Sequence, residues 1–273
     1  MAKFRPVRLI TGSVLAFALG LTAAQAAPQC GNSASGFDQW KREFAPVAQS
    51  NGVGQRGLQA LAAARYNSST IKADRAVKKG GSAFTMSLGT FCKKRGCDAI
   101  VRIGKQKKKE NARLLANIEQ RFGIPAGPLM AIWGMETGFG RFTGNQPVIS
   151  SAATLVYDCR RSDYFFPHLI AALRMVDSGL FSTGTKGAAH AEYGHTQFLP
   201  NNILRFGVDG NGDGRVDLKN VNDALYSTAN FLRAHGMTRN YQPGQSGFRG
   251  IEGWNAASVY QQAIAQMGAQ IDG

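Results

Sequence analysis

The stretch Leu129-Met130-Ala131-Ile132-Trp133-Gly134-Met135-Glu136-Thr137-Gly138-Phe139-Gly140 decides the reading of this chain. Apolar residues cover every face of the helix it would form, so that helix has to be buried on all sides. Pro128 suits the first turn, where a missing N–H costs nothing. Gly134, Gly138 and Gly140 suit a tight exit with close backbone approach. Glu136 is the single charged residue of the stretch. Burial without a partner disfavours a carboxylate and raises its pKa, which is what a general acid needs near neutral pH. The structural alternative is a core glutamate salt-bridged to Arg141.

On the N-terminal side, Leu114, Leu115, Ile118 and Phe122 form the apolar stripe of a helix over 111–122, broken by Gly123-Ile124-Pro125. Phe37, Trp40, Phe44 and Val47 repeat at helical spacing, Leu58, Leu61 and Ala62 continue the pattern, and Gly52, Gly54, Gly80, Gly81 and Gly96 punctuate it. On the C-terminal side, helices are expected over about 147–157, 164–178, 221–235 and 256–268. Strand-like alternation is scarce. The fold class expected is mainly α, with at most a small sheet.

The chain has 273 residues, 44% hydrophobic and 18% charged, which excludes a miniature scaffold and a disordered protein. Lys3, Arg5 and Arg8, an apolar run from Leu9 to about Leu21, and Ala24-Gln25-Ala26 read as a secretory leader over residues 1–26. That run is shorter than the ~20 residues of a membrane span. Cys30 follows Ala27-Pro28-Gln29, which lacks the lipid-anchoring pattern. The expected compartment is the periplasm. Oxidising surroundings favour disulfides over free thiols or zinc; Cys92 with Cys97 and Cys30 with Cys159 is the preferred one of three connectivities.

The formal net charge is +15. Residues 27–122 hold 18 Lys or Arg against 6 Asp or Glu, whereas residues 123–273 hold 11 of each. The excess therefore marks a basic helical N-terminal lobe ahead of a neutral core, with runs at Lys93-Lys94-Arg95 and Lys107-Lys108-Lys109. Such a face meets an anionic envelope polymer or membrane surface, or is simply solvated. Nucleic acid ranks last as a partner, because export removes it and no binding motif is present.

Several ordered blocks carry a resemblance. Glu136-Thr-Gly-Phe-Gly-Arg-Phe-Thr-Gly-Asn145, Ala152-Ala153-Thr154-Leu155, Arg160-Arg161-Ser162-Asp163-Tyr164-Phe165, Gln197-Phe198-Leu199-Pro200, Ala234-His235-Gly236 and Gly253-Trp254-Asn255-Ala256-Ala257-Ser258-Val259-Tyr260 resemble the lytic murein transglycosylase B family. The resemblance covers roughly residues 110–265. It implies an α+β lysozyme-like catalytic core at 123–273 that cleaves the β-1,4 bond between N-acetylmuramic acid and N-acetylglucosamine without water, leaving a 1,6-anhydro product. It assigns the acid and base work to Glu136 alone, whereas ordinary glycosidases use two carboxylates. It places Gln197 on the sugar near the cleavage point, Arg160 and Arg161 on the carboxylates of the peptide stem, and Asn255 and Tyr260 in the cleft.

One block departs from the family pattern Ser-x-Ala-Gly-Ala-Met-Gly: here it reads Ala188-Ala189-His190-Ala191-Glu192-Tyr193-Gly194. The serine is lost and Glu192 enters, either as a second cleft acid or as a surface or bridging charge.

Asp209-Gly-Asn211-Gly-Asp213-Gly214-Arg215-Val216-Asp217 follows the first nine positions of a calcium loop, with Arg215 offering its backbone carbonyl. Position 12 is Asn220 rather than glutamate, and Asp223 matches the closing ligand of the family's longer loop. A structural calcium is therefore expected at Asp209, Asn211, Asp213, Arg215 and Asp223, with no cofactor required for the chemistry. Glycan strands of peptidoglycan are the expected partner of a monomer. A hydrolytic muramidase like goose-type lysozyme and a catalytically idle peptidoglycan-binding protein are the rival readings.

Overall fold

A computed structural model describes residues 28–76 and 85–273; the expected leader, residues 1–26, and the glycines at 80 and 81 lie outside them. The described chain forms 13 α-helices: α1 (Phe37–Ser50), α2 (Gln55–Ala63), α3 (Ser68–Ala76), α4 (Leu88–Arg95), α5 (Cys97–Glu110), α6 (Ala112–Phe122), α7 (Ala126–Thr137), α8 (Val148–Tyr157), α9 (Ser162–Asp177), α10 (Pro200–Phe206), α11 (Val221–Ala234), α12 (Arg249–Trp254) and α13 (Ser258–Asp272). A two-stranded antiparallel sheet pairs β1 (Gln146–Pro147) with β2 (Lys186–Gly187), Gln146 opposite Gly187 and Pro147 opposite Lys186. The mainly α expectation holds. No helix among the described residues is long and apolar enough to cross a membrane.

Helix α7 is the axis of the molecule because its sequence offers water no polar face. Leu129, Met130, Ala131 and Ile132 are fully buried, and α13 and α5 pack against the helix. The approach to α13 depends on glycine: a Cβ on Gly127 would sit 2.1 Å from the carbonyl oxygen of Gly268. That contact also explains a boundary. Patterning ends the last helix at Gly268, yet α13 runs on to Asp272, because this glycine is a close-packing point rather than a stop. Asp272 then accepts a 2.7 Å hydrogen bond from the Gly127 N–H, satisfying a free donor at the start of α7. At its other end α7 stops in the left-handed conformation of Gly138 (φ 58°).

The apolar stripe of α1 (Phe37, Trp40, Phe44, Val47) and that of α6 (Leu115, Ile118, Phe122) join one continuous hydrophobic cluster with α7, α8, α9 and α13. The first lobe and the core thus share their interior. The basic runs lie in the last turns of α4 and α5, where cations favour the exposed carbonyl end of a helix.

The disulfides are Cys30–Cys159 and Cys92–Cys97, the expected connectivity. The first closes a separation of 129 residues and ties the segment before α1 to the turn after α8, where the Gly31 N–H also donates to Tyr157 O at 2.9 Å. The loop-closure account gives such a crosslink about 4–5 kcal/mol.

Candidate active site

Glu136 lies in the last turn of α7, and its carboxylate is met by side chains from the far end of the chain. Tyr260 Oη donates to Glu136 Oε1 at 2.6 Å and Trp254 Nε1 donates to the same oxygen at 3.2 Å. Oε2 takes no hydrogen bond from the described residues, and Glu136 forms no ion pair among them, with Arg141 or any other cation. Burial is the main cause that raises its pKa; the two donors and the charge of Arg95 oppose it, and the charge of Glu192 adds to it. Burial and the adjacent carboxylate hold the Tyr260 phenol well above its usual range, so it remains a donor at neutral pH.

Two hollows meet at Glu136. One, of about 330 Å³, is lined by Glu136, Glu192, Gln197, Asn202, Trp254 and Asn255, with Tyr164 at its rim. Amides and carboxylates above aromatic faces are the surface a sugar needs, since its hydroxyls seek polar partners and its C–H faces apolar ones. The other, of about 630 Å³, runs from Glu136 past Phe139 and Phe142 to Lys94, Arg95 and Lys107.

The turn carrying Gln197 is under backbone strain. Phe139, Ala191 and Gln197 adopt φ of 63°, 67° and 57° without being glycine, a conformation that costs of order 1–3 kcal/mol each. Gln197 is held there by its Nε2 donating to Gly194 O at 2.8 Å and to Thr143 O at 3.4 Å, and by the Tyr193–Phe198 bridge around it. Behind the glutamate, Trp133 Nε1 donates to His195 Nδ1 at 3.0 Å and Thr137 Oγ1 donates to His195 O at 2.6 Å. His195 Nε2 faces Lys219 O at 3.0 Å, which fixes a neutral ring with its proton on Nε2. Burial lowers the pKa of this imidazole, in keeping with that state.

Of the residues singled out by sequence, Glu136, Gln197, Asn255 and Tyr260 come together. Asn255 lines the smaller hollow, and its Oδ1 accepts from the Ala257 N–H at 2.9 Å, turning the chain into α13. Arg160 and Arg161 do not line either hollow of Glu136. Both guanidinium groups engage the buried Asp74 carboxylate of α3, and Arg161 lies 4.8 Å from the Phe165 ring centroid. Together these arginines hold Asp74 below its usual range against the opposing effect of burial. They line a separate hollow that shares Tyr164 with the glutamate's. Glu192 lines the glutamate's hollow and is also tethered, Oε2 accepting from the His190 N–H at 2.9 Å.

The loop 209–217 wraps around its own carboxylates. Asp209 accepts from the N–H groups of Gly212 (2.6 Å) and Gly214 (2.7 Å), and bonds of this kind, Gly214 first, hold its pKa below the usual range. Asp213 Oδ1 accepts from Arg215 N at 2.9 Å, and the buried Asp223 accepts from Gly210 N (2.9 Å) and Asp217 N (2.8 Å). Asn220 caps α11 through Asn222 N at 2.8 Å, so it is not a closing ligand. The donor set is all oxygen, as a hard cation requires, and the turn is formed. No cluster of three or more His, Cys, Asp or Glu converges among the described residues.

Three contributors escaped the sequence reading: Trp254 as a donor to the glutamate, His195 as its brace, and Arg95, which donates to Met135 O at 3.2 Å beside it. Trp254 stood inside a quoted block, but nothing in the spacing shows which way an indole N–H points.

The family described as the transglycosylase SLT domain matches residues 36–246. A curated relative, membrane-bound lytic murein transglycosylase B of Escherichia coli (strain K12), is 34% identical over 125 residues, 45% of this chain and 35% of that protein's length. Among solved structures, SltB3 from Pseudomonas aeruginosa in complex with NAG-anhNAM-pentapeptide superposes with a TM-score of 0.77 at 26% identity, covering 87% of this chain and 80% of that one. The Escherichia coli lytic transglycosylase Slt35 in complex with calcium shares the fold, with a TM-score of 0.72 at 21% identity over 91% and 96% of the two chains.

Proposed function

The chain belongs to the transglycosylase SLT domain family, and from that premise we propose that it is a periplasmic peptidoglycan lytic transglycosylase. The observation that carries the reading is Glu136, a carboxyl with a raised pKa at the junction of two hollows, hydrogen-bonded through Oε1 alone among the described residues. Oε1 is fixed by Tyr260 and Trp254, so Oε2 carries the mobile proton. That proton passes to the glycosidic oxygen as the bond to C1 of the muramic ring breaks. The N-acetyl carbonyl of the same ring supports the cation at C1. The C6 hydroxyl then attacks C1 and returns its proton to Oε2, closing the 1,6-anhydro ring and restoring the acid. An intramolecular nucleophile replaces a bimolecular one, so ring closure outruns capture by water. Gln197 and Asn255 orient sugar in the smaller hollow.

The relative bound to NAG-anhNAM-pentapeptide supports this product class. Asp209, Asn211, Asp213, the Arg215 carbonyl and Asp223 would hold a calcium ion, whose role would be structural; the fold relative bound to calcium supports this assignment. A leader over residues 1–26 directs export.

The test is mass spectrometry of fragments released from purified sacculi. Products lighter by one water than lysozyme fragments are expected, and Glu136→Gln lowers their yield by about 10²–10⁴. Products of full hydrolytic mass only, or release undiminished in Glu136→Gln, overturn the reading.

A further inference from the structure

Helix α4 is lightly anchored, yet it delivers a charge to the end of α7. Of its 8 residues only Phe91 is buried. Its last residue, Arg95, reaches Met135, the neighbour of Glu136: one guanidinium nitrogen donates to Met135 O at 3.2 Å and Nε donates to Met135 Sδ at 3.3 Å. That carbonyl is among the last four of α7, which lack a partner within the helix, and a cation is favoured at this end. Burial chiefly raises the pKa of Glu136, and the Arg95 charge is one of the effects that hold it down. The Cys92–Cys97 bridge brackets Arg95. With a separation of only 5 residues it removes less loop entropy than Cys30–Cys159 does, so its contribution is mainly local placement. It ties α4 to Cys97, which is buried at the start of α5. Helix α5 in turn packs on α7, so closely that a Cβ on Gly134 would lie 2.5 Å from Ile100 Cγ2. The bridge therefore fastens a lightly held helix to the element pressed against the last turn of α7.

We infer that Arg95 is a positioning residue for Glu136 and that the Cys92–Cys97 bridge holds it in place, the two acting as one clamp on the last turn of α7. The inference rests on the function proposed above, since the clamped turn carries the acid of that reaction. With Arg95 on Met135 O the turn cannot fray, and the Glu136 carboxyl keeps its place beside Tyr260 and Trp254. The other titratable and charged groups near it are Tyr260 from α13 and Glu192 from the turn before Gln197, with Lys94, Lys107 and Arg141 along the larger hollow.

The test follows the Glu136 carboxyl directly, by carbon-detected NMR titration of protein isotopically labelled at its glutamate side-chain carboxyls, the signal being assigned by its absence in Glu136→Gln. Arg95→Gln moves the titration of Glu136 to higher pH, and Cys92→Ser with Cys97→Ser moves it the same way by a smaller amount. The combined variant matches Arg95→Gln alone, as expected of groups that act as a unit. Arg95→Lys keeps the cation and retains the wild-type titration. On soluble glycan strands kcat falls about tenfold in Arg95→Gln with KM little changed, because the placement of a reacting group is lost and not binding. Arg95 is exposed, so its replacement leaves the fold intact and that readout stands whatever the cysteine variant does. A titration unmoved by Arg95→Gln, or unmoved by removal of the bridge, overturns the inference, and so does a combined shift equal to the sum of the two. The anhydro product, followed in parallel, reports on the proposed reaction alone. Product formed with an unmoved titration therefore rejects the clamp, and a moved titration without product rejects the reaction.

Discussion

Tyr260 and Glu136, 124 residues apart in sequence, are joined by a 2.6 Å hydrogen bond from the phenol to Oε1. The bond favours the charged carboxylate and so opposes the upward push of burial. Tyr260→Phe removes it and raises the Glu136 pKa further. Glu136 has to be protonated to begin the reaction, so the alkaline limb of the kcat/KM profile moves to higher pH. The rate at the optimum falls about tenfold, the equivalent of one hydrogen bond to a charged group. Unchanged profiles would remove Tyr260 from the site.

Glu192→Gln acts in the opposite direction. Its negative charge contributes to the raised pKa of Glu136, so neutralising it lowers that pKa and moves the alkaline limb to lower pH. The anhydro fraction of the products stays constant, because Glu192, tethered to the His190 N–H, acts on Glu136 through its charge. An increase of hydrolytic product in the wild type relative to Glu192→Gln contradicts that assignment.

How far this site was legible depends on the range of each signal. The all-apolar stretch around Glu136 dictated a buried helix, and the glutamate stood out by local chemistry. Gln197 and Tyr260 were reached through resemblance. Arg160 and Arg161 were named as ligand contacts, yet Asp74 holds both. The acid is separated from them by 86 and 87 residues, and no local pattern joins it to them. Glu192 was left between two readings and satisfies parts of both. Helix α5 was hidden because its lysines dilute the apolar stripe, although Cys97, Ile100 and Gly104 are buried.

Calcium is expected to raise the thermal midpoint by several degrees, through preferential binding to the folded loop. Asp209→Ala abolishes the increment, and removal of the ion by a chelator lowers the midpoint of the wild type alone. Differential scanning fluorimetry with and without the ion measures all three. A midpoint that ignores calcium rejects the assignment.

Cys30→Ser with Cys159→Ser destabilises the protein by about 2–5 kcal/mol in denaturant titration, because a long unfolded loop is released. Cys92→Ser with Cys97→Ser costs less, since its loop spans only 5 residues. Equal losses would mean that local geometry, and not chain entropy, sets the contribution.

The junction of two hollows at one carboxyl has a pharmacological corollary. A blocker confined to the amide-lined side competes on terms common to many sugar-cleaving enzymes. A compact molecule that pairs a ring mimic with an arm extending into the larger hollow, past Phe139 toward Lys94 and Arg95, gains from tethering what neither fragment has alone.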